Sequence, residues 1–477
     1  MNYHKKSSRR EFLGEASCAA VSSIPLLSTL LNLRLAGDIS AAEQPASGEY
    51  RALVCLFLSG GNDSFNMLVP REHAAYQEYR SSRANLALPP EQLIEIQPLN
   101  TGRFGVHHRM PELAALFEAG NAAFVANVGT LIEPVANRTQ VNDNLKRLPL
   151  GLYSHSDQLE QWQTSVPHSR SGVGWAGRMA DLLKDLNASQ TVPMNISLSG
   201  GNVWQTGNTV AEYSITADGA AELTAYDPLF RSSEASRLRQ VMSAGIDNQL
   251  AMTYSNLLQQ TFVARKRAAV DAYSIFAEAV KSPLPEGIVF PNDSVGRSLG
   301  MVARAIQGRS AIGAVRQTFF VEITGWDHHG ELLTNQEGML LEVSAGVGKF
   351  YEFLATLNLQ NQVTLFTASD FGRSLTSNGR GSDHAWGGNQ FVVGGGVKGR
   401  RIFGAYPSLA VNPENGAEIN PLDTGRGRMI PTTSVDAFFA ELALWLGVSK
   451  SNLTRVFPNI GNFYASSSPG PPIGFLI

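Results

Sequence analysis

The chain has 477 residues, 43% hydrophobic and 17% charged, with 38 Lys and Arg against 41 Asp and Glu. That length supports a substantial buried core, and the near-neutral balance lacks the basic excess expected of a nucleic-acid-binding protein. The 45 glycines, many placed directly after apolar runs, suit a sheet-rich protein with tight strand-end loops.

The chain opens on a targeting signal. Ser8-Arg9-Arg10-Glu11-Phe12-Leu13 is a twin-arginine motif preceded by Lys5 and Lys6. A mildly apolar segment, 16–31, follows it, and Ser40-Ala41-Ala42 then offers small residues for cleavage before Glu43. Residues 1–42 are read as a signal peptide, with the twin-arginine translocon as partner during export and a periplasmic or secreted destination. That route carries folded proteins, so a bound metal is compatible with it. No later stretch approaches the ~18 apolar residues that span a bilayer, so the processed chain is not expected to be an integral membrane protein. Cys18 leaves with the signal, and Cys55, inside LVCLFL, reads as a core residue.

Short apolar runs ending in glycine or polar clusters predict strands at Ala52–Leu58, Ala122–Val128, Pro193–Leu198, Thr318–Ile323, Val363–Ala368 and Phe391–Val393. Helical periodicity marks Pro111–Ala119, Trp175–Leu186, Glu234–Lys281 with a break, Ser294–Gln307, Leu332–Leu357 and Ser434–Leu446. Strands alternating with helices predict an α/β fold, a mostly parallel sheet with helices on both faces, whose ligands bind beyond the carboxyl ends of the strands. No linker divides the chain, so residues 43–465 are read as one domain. Within it, 234–281 is the candidate helical cap insertion, and 466–477, containing SSSPGPP, is expected to be a loose tail.

Acidic and imidazole groups collect where strands end. Asp63 and Ser64 follow the first strand; Asp327, His328 and His329 follow Thr318–Ile323; Asp370 and Arg373 follow Val363–Ala368, with Asp383 and His384 further on. His155 and Asp157 form a fourth group with no clear strand before it. Carboxylates with imidazoles are a ligand set for zinc, manganese or a similar divalent ion. Taken singly, each pair also reads as a capping or turn residue. Taken together, three of the nine histidines fall between 328 and 384 near aspartates at strand ends, a metal-site pattern. Ser64, in the glycine-rich SGGNDS, is either a metal-activated nucleophile or a helix cap. Arg373 is suited to an oxyanion and to a carboxylate equally. Trp326, Phe371 and Trp386 are candidates for pocket walls or for core.

Five ordered motifs, LFLSGGNDSFNMLVP, YSHSDQLEQWQ, GWDHHGE, FTASDFGRS and GSDHAWGG, resemble an exported bacterial family, domain-of-unknown-function family 1501, over nearly the whole mature chain. That family is grouped with the alkaline phosphatase and sulfatase superfamily. The resemblance implies an alkaline-phosphatase-like α/β fold and metal-dependent hydrolysis of phosphate or sulfate esters on a small-molecule or glycan substrate. It implies one or two divalent ions (zinc, magnesium, manganese or calcium) held by Asp63, Asp327, His329, Asp370 and His384, with Ser64 or water attacking and Arg373 assisting. His155, Asp157, His328 and Asp383 are further candidates. The W-D-x-H pattern favours His329 over His328. The chain departs from the superfamily at Asp370-Phe371, where Asp-His is common, which leaves an imidazole for His155 or a carboxylate for Asp383 to replace. The other class of function compatible with these residues is an exported binding or assembly protein whose site is degenerate or structural.

Overall fold

The computed structural model describes residues 49–220, 226, 234–414 and 416–476. The twin-arginine motif and its cleavage region therefore lie outside the described residues.

The architecture follows from the strand Arg51–Ser59, in which alternate side chains serve two cores. Ala52, Val54, Leu56 and Leu58 face one cluster, and Leu53, Cys55 and Phe57 the other. A strand buried on both faces reads as a continuous apolar run, as ALVCLFL does. Ten strands form the main sheet: β1 (Arg51–Ser59), β2 (Ala122–Gly129), β3 (Asn195–Ser197), β4 (Tyr213–Thr216), β5 (Gly219–Ala220), β6 (Arg316–Thr324), β7 (Val363–Ser369), β8 (Gly388–Gly394), β9 (Ile402–Phe403) and β10 (Thr433–Ser434). Their order is β9-β2-β8-β7-β1-β6-β3-β4-β5, with β10 also pairing β2. Strands β7, β1, β6, β3 and β4 run parallel, whereas β8 is antiparallel to both of its neighbours.

Helices cover both faces. Pro111–Glu118, Ser294–Gln307 and Leu332–Thr356 pack Leu113, Phe117, Leu299, Val302, Val343 and Phe350 against one side. Trp175–Leu183 and Val435–Leu446 pack Trp175, Met179, Phe438 and Phe439 against the other. Each expected strand and helix is present, with ends shifted by up to three residues and the last turn of Trp175–Leu186 formed as a 3₁₀ segment. The expected helix 234–281 is two helices, Glu234–Ala251 and Leu257–Ala279, the second capped by Asn256, whose side chain accepts from Leu258 and Gln259 N–H.

Sequence periodicity missed a small three-stranded sheet, Leu68–Pro70, Phe104–His107 and Leu93–Ile96, because its strands are only three or four residues long. The tail expected to be loose is instead tied down. Glu441 accepts the backbone N–H groups of Ile473, Gly474 and Leu476 at 2.8, 2.6 and 2.7 Å, and Phe475 is fully buried beside Phe438. Burying that ring stabilises the docked tail by about 2 kcal/mol, and the Glu441 hydrogen bonds add to it. Among the described residues no helix is long and apolar enough to cross a membrane.

Candidate metal centre

Strands β1, β6 and β7 lie side by side in parallel register, Ser59 opposite Thr324 and Leu58 opposite Ser369, so the loops that follow them leave from one edge. Gly60 lets these loops meet. Its φ is +121°, and a Cβ there would stand 2.5 Å from the Asp327 nitrogen, so no larger residue fits. The Gly60 N–H donates to Asp370 Oδ1 at 3.0 Å, tying the first loop to the third. A short hairpin, Arg373–Ser377 with Ser382–His384, carries His384 back to the same edge, and the helix His155–Thr164 presents His155 from its first turn.

At the centre three imidazoles point their Nε2 atoms at one another and at one carboxylate. His384 Nε2 stands 3.1 Å from His155 Nε2 and 2.9 Å from His329 Nε2. Asp327 Oδ1 is 3.2 Å from His384 Nε2 and 3.1 Å from His329 Nε2, and Asp327 Oδ2 is 3.4 Å from His155 Nε2. The ligand atoms of His155, Asp327 and His384 all fall within 4.8 Å of one another.

The outer nitrogens explain why this arrangement suits a cation. His384 Nδ1 donates to the Tyr153 carbonyl at 2.9 Å, an atom that can only accept. His155 Nδ1 faces Asp370 Oδ2 at 2.8 Å, and His329 Nδ1 faces Asp383 Oδ1 at 3.2 Å, so each carries its proton outward. The three Nε2 atoms then aim lone pairs at each other. One shared proton relieves only one of the two close nitrogen pairs around His384, whereas a cation relieves both and the nearby carboxylate as well. Metal-binding histidines characteristically donate the other ring N–H to a carboxylate or carbonyl, as all three do here. Three imidazole nitrogens with one carboxylate oxygen also match the donors of a four-coordinate zinc site.

Charge around the cluster keeps the carboxylates anionic. Burial raises the Asp327 pKa, but the hydrogen bond and charge of Arg373 outweigh it and hold the carboxyl below its ordinary range. Burial also opposes ionisation of Asp383, and hydrogen bonds from Asn378 and Arg426, with the Arg426 charge, hold it low. The hydrogen bond to Asp370 raises His155, whereas burial lowers His384. The side chains of Asp327 and His329 are 42% and 45% exposed, so solvent reaches the cluster from one side.

The structure sorts the residues expected from sequence into layers. Asp327, His329 and His384 meet at the centre, and His155, a secondary candidate, joins them, supplying the imidazole that Phe371 does not. Asp370 and Asp383 stand one layer out as acceptors for His155 and His329. Asp63 sits deeper, fully buried, with Oδ2 on Arg83 at 2.5 Å and on Ser382 Oγ at 3.2 Å. Its Oδ1 has no hydrogen-bond partner among the described residues. Ser64 is buried, and its Oγ accepts the Asn389 N–H at 2.7 Å, so this hydroxyl is sealed away from the cluster. Arg373 is fully buried and committed to Asp327 Oδ1 at 2.6 Å and to Ser382, which leaves it as a holder of Asp327 and not as an oxyanion contact. Asp157 faces outward to Arg170 at 3.2 Å. His328 is buried at 4% exposure beside the Trp326 ring, its two ring nitrogens have no hydrogen-bond partner among the described residues, and burial lowers its pKa.

Two residues escaped sequence reasoning. Arg83, the partner of Asp63, is the last residue of the helix His73–Arg83, with nothing to mark it. Tyr153 supplies the carbonyl that orients His384, from a left-handed backbone with φ +73°. Its N–H donates to Gln158 Oε1, and its ring lies under Arg428, which hold that conformation. Its place at the head of YSHSDQ was the available signal.

Fold and site together define an α/β protein with a histidine–aspartate cluster at the carboxyl ends of parallel strands. The chain belongs to the family described as "Protein of unknown function (DUF1501)", which matches residues 50–456. No curated protein matches the chain by sequence. Among solved structures it is similar to the C-terminal periplasmic domain of EptC from Escherichia coli in complex with zinc, at 12% identity and a TM-score of 0.29 over 74% of this chain and 75% of that one. It is similar to the soluble domain of lipooligosaccharide phosphoethanolamine transferase A from Neisseria meningitidis, at 8% identity and a TM-score of 0.32 over 87% and 95% of the two chains. It is also similar to a TAB5 alkaline phosphatase mutant with magnesium bound, at 10% identity and a TM-score of 0.28 over 73% and 92%.

Proposed function

We propose that this chain is an exported, metal-dependent hydrolase of phosphate or sulfate esters. The observation that carries the reading is the set of three inward Nε2 atoms beside Asp327, each histidine with its outer nitrogen tied to an acceptor. His155, His329, His384 and Asp327 would hold one or two divalent ions, and this nitrogen-rich set suits zinc better than magnesium or calcium. A bound divalent ion supplies Lewis-acid polarisation of the ester oxygens and charge for the leaving oxygen.

The chain's own residues do the positioning. Arg373 holds the Asp327 carboxylate, while Asp370, Asp383 and the Tyr153 carbonyl orient the three rings. Because Ser64 is sealed, water arriving from the exposed side is the attacking group in this reading. Small-molecule and glycan esters both fit a site open on one side, and the twin-arginine motif supports export to the periplasm or beyond.

One observation favours a second reading, a binding or assembly protein with a structural metal: Arg373 is fully committed and offers nothing to a substrate oxyanion. Elemental analysis of the purified protein, joined to assays on p-nitrophenyl phosphate, bis-p-nitrophenyl phosphate and p-nitrophenyl sulfate, separates the two. The hydrolase reading expects about one or two divalent ions per chain, turnover lost on chelation and restored by zinc or manganese, and both lost in His384→Ala with the fold retained. Tightly held metal without turnover on any ester would transfer support to the structural reading. Absence of metal would reject both.

A further inference from the structure

The helical arm at the far edge of the sheet carries a second surface, independent of the ester-hydrolase reading. The helices Glu234–Ala251 and Leu257–Ala279 pack on the body mainly through the end of the second, where Ala272, Phe276 and Ala279 are buried. Further out, apolar side chains face solvent: Leu238, Val241, Met252, Leu257, Leu258 and Phe262 are 50% to 79% exposed. Helices in folded proteins owe most of their stability to burying an apolar face, which this arm does only at its base.

Charge is distributed along the arm in an ordered way. Residues 248–264, NQLAMTYSNLLQQTFVA, span both helix ends and their connection without one Asp, Glu, Lys, Arg or His. Arg265, Lys266 and Arg267 follow at once, and Arg237 and Arg239 lie on the other helix. Arg267 is satisfied within the arm by Asp247 at 2.7 Å and Asp271 at 2.9 Å, which also neutralises those two carboxylates. Over 234–281 six cationic side chains face four acidic ones, in a chain whose total is acidic. At the tip, Leu250, Tyr254, Leu258, Phe262 and Val263 line a groove of about 360 Å³.

We propose that this arm docks on an anionic lipid bilayer, its uncharged tip entering the headgroup–acyl boundary and Arg265 and Lys266 resting among the phosphates. Leu258 and Arg265 are seven residues apart, about 10 Å along the helix, so a tip entering end-on would leave Arg265 near the headgroups. Tyr254 has the amphipathic ring favoured at that depth, and long cationic side chains extend from it to the headgroups. A second copy is the other occupant an apolar tip could take. It fits less well: a two-fold contact through the tips would bring two cationic clusters together, with no acidic residue in 248–264 to meet either.

The test is co-sedimentation of the full chain with vesicles of phosphatidylethanolamine and phosphatidylglycerol, and with phosphatidylcholine alone. Expected is binding to the anionic vesicles at least ~10-fold tighter than to the neutral ones and weakened by salt. Leu258→Glu with Phe262→Glu should lower it ~10-fold or more, and Arg265→Glu with Lys266→Glu should remove the anionic preference. Ser255→Cys carrying an environment-sensitive dye gives a second readout, blue-shifting when anionic vesicles are added. Binding that the Leu258/Phe262 variant leaves unchanged, or a dye that does not respond, overturns the proposal. So does a wild-type dimer by light scattering that this variant dissociates without any vesicle binding, which would assign the surface to a second copy.

Discussion

The strand-end rim and the helical arm present opposite kinds of exposed surface. In the rim, side chains from positions 155, 327, 329, 370, 383 and 384 meet at polar contacts of 2.8 to 3.2 Å. Solvent reaches it, but each ring and carboxylate is held by a partner behind it. In the arm, one contiguous stretch supplies all the exposed apolar groups, and the body holds only its base. The contrast separates two ways of making a site. A coordinating centre needs several chain segments registered to fractions of an ångström, whereas a docking surface needs only the right residues along one local element.

Four substitutions can break or sharpen that contrast. The largest effect is expected for Asp63→Ala, which leaves the fully buried Arg83 guanidinium without its carboxylate. Urea denaturation should show a loss of about 3–5 kcal/mol. A loss under ~1 kcal/mol would mean the layer behind the rim is not held by this pair.

Next is a pH effect in the body. Burial pushes the Asp436 carboxyl up to about 7. Folded protein therefore keeps that proton where unfolded chain has lost it, so this residue's contribution to stability falls as pH rises from the ordinary carboxyl range to about 7, then levels off. Asp436→Asn removes that slope. Relative to the variant, the wild type should lose about 2 kcal/mol between pH 5 and pH 8. Parallel pH profiles for the two proteins would show that the buried carboxyl does not hold its proton.

A smaller effect is expected in the layer behind the candidate metal ligands. Asp383→Asn keeps the shape but removes the anionic acceptor of His329 Nδ1–H. Zinc affinity, measured against a chelating dye, should fall about 10-fold with the fold intact. An unchanged affinity would place His329 outside the coordinating set. The smallest effect belongs to the arm: Val241→Thr, at a side chain 70% exposed, should change stability by less than ~0.5 kcal/mol. A loss above ~1.5 kcal/mol would show that Val241 packs on something in the isolated chain.

Much of the frame was legible before the structure. The runs ALVCLFL and VTLFTA predicted strands because residues buried on both faces must be apolar throughout. Ser294–Gln307 was predicted to the residue because its apolar face repeats at helical spacing, and in the structure Asp293 caps its start. The site was legible in part. Asp327, His329 and His384, expected as ligands, meet at the centre, while Asp370 and Asp63, also expected there, stand behind it on His155 and Arg83. Ser64, read as a metal-activated nucleophile or a helix cap, is buried with its hydroxyl accepting the Asn389 N–H. Residue type and strand-end position show that a carboxylate is near the centre, but not which of its oxygens is already taken.

Local sequence by itself therefore determined the long central strands, the main covering helices and the edge of the sheet where chemistry collects, because burial and periodicity are properties of neighbouring residues. Only the tertiary structure decided that His155 would complete the cluster, that Asp63 would turn to Arg83, and that the tail would close on Glu441. Those outcomes depend on contacts between residues as far as 229 positions apart, and a hydrogen bond is settled by distance and direction in space, which spacing along the chain does not record.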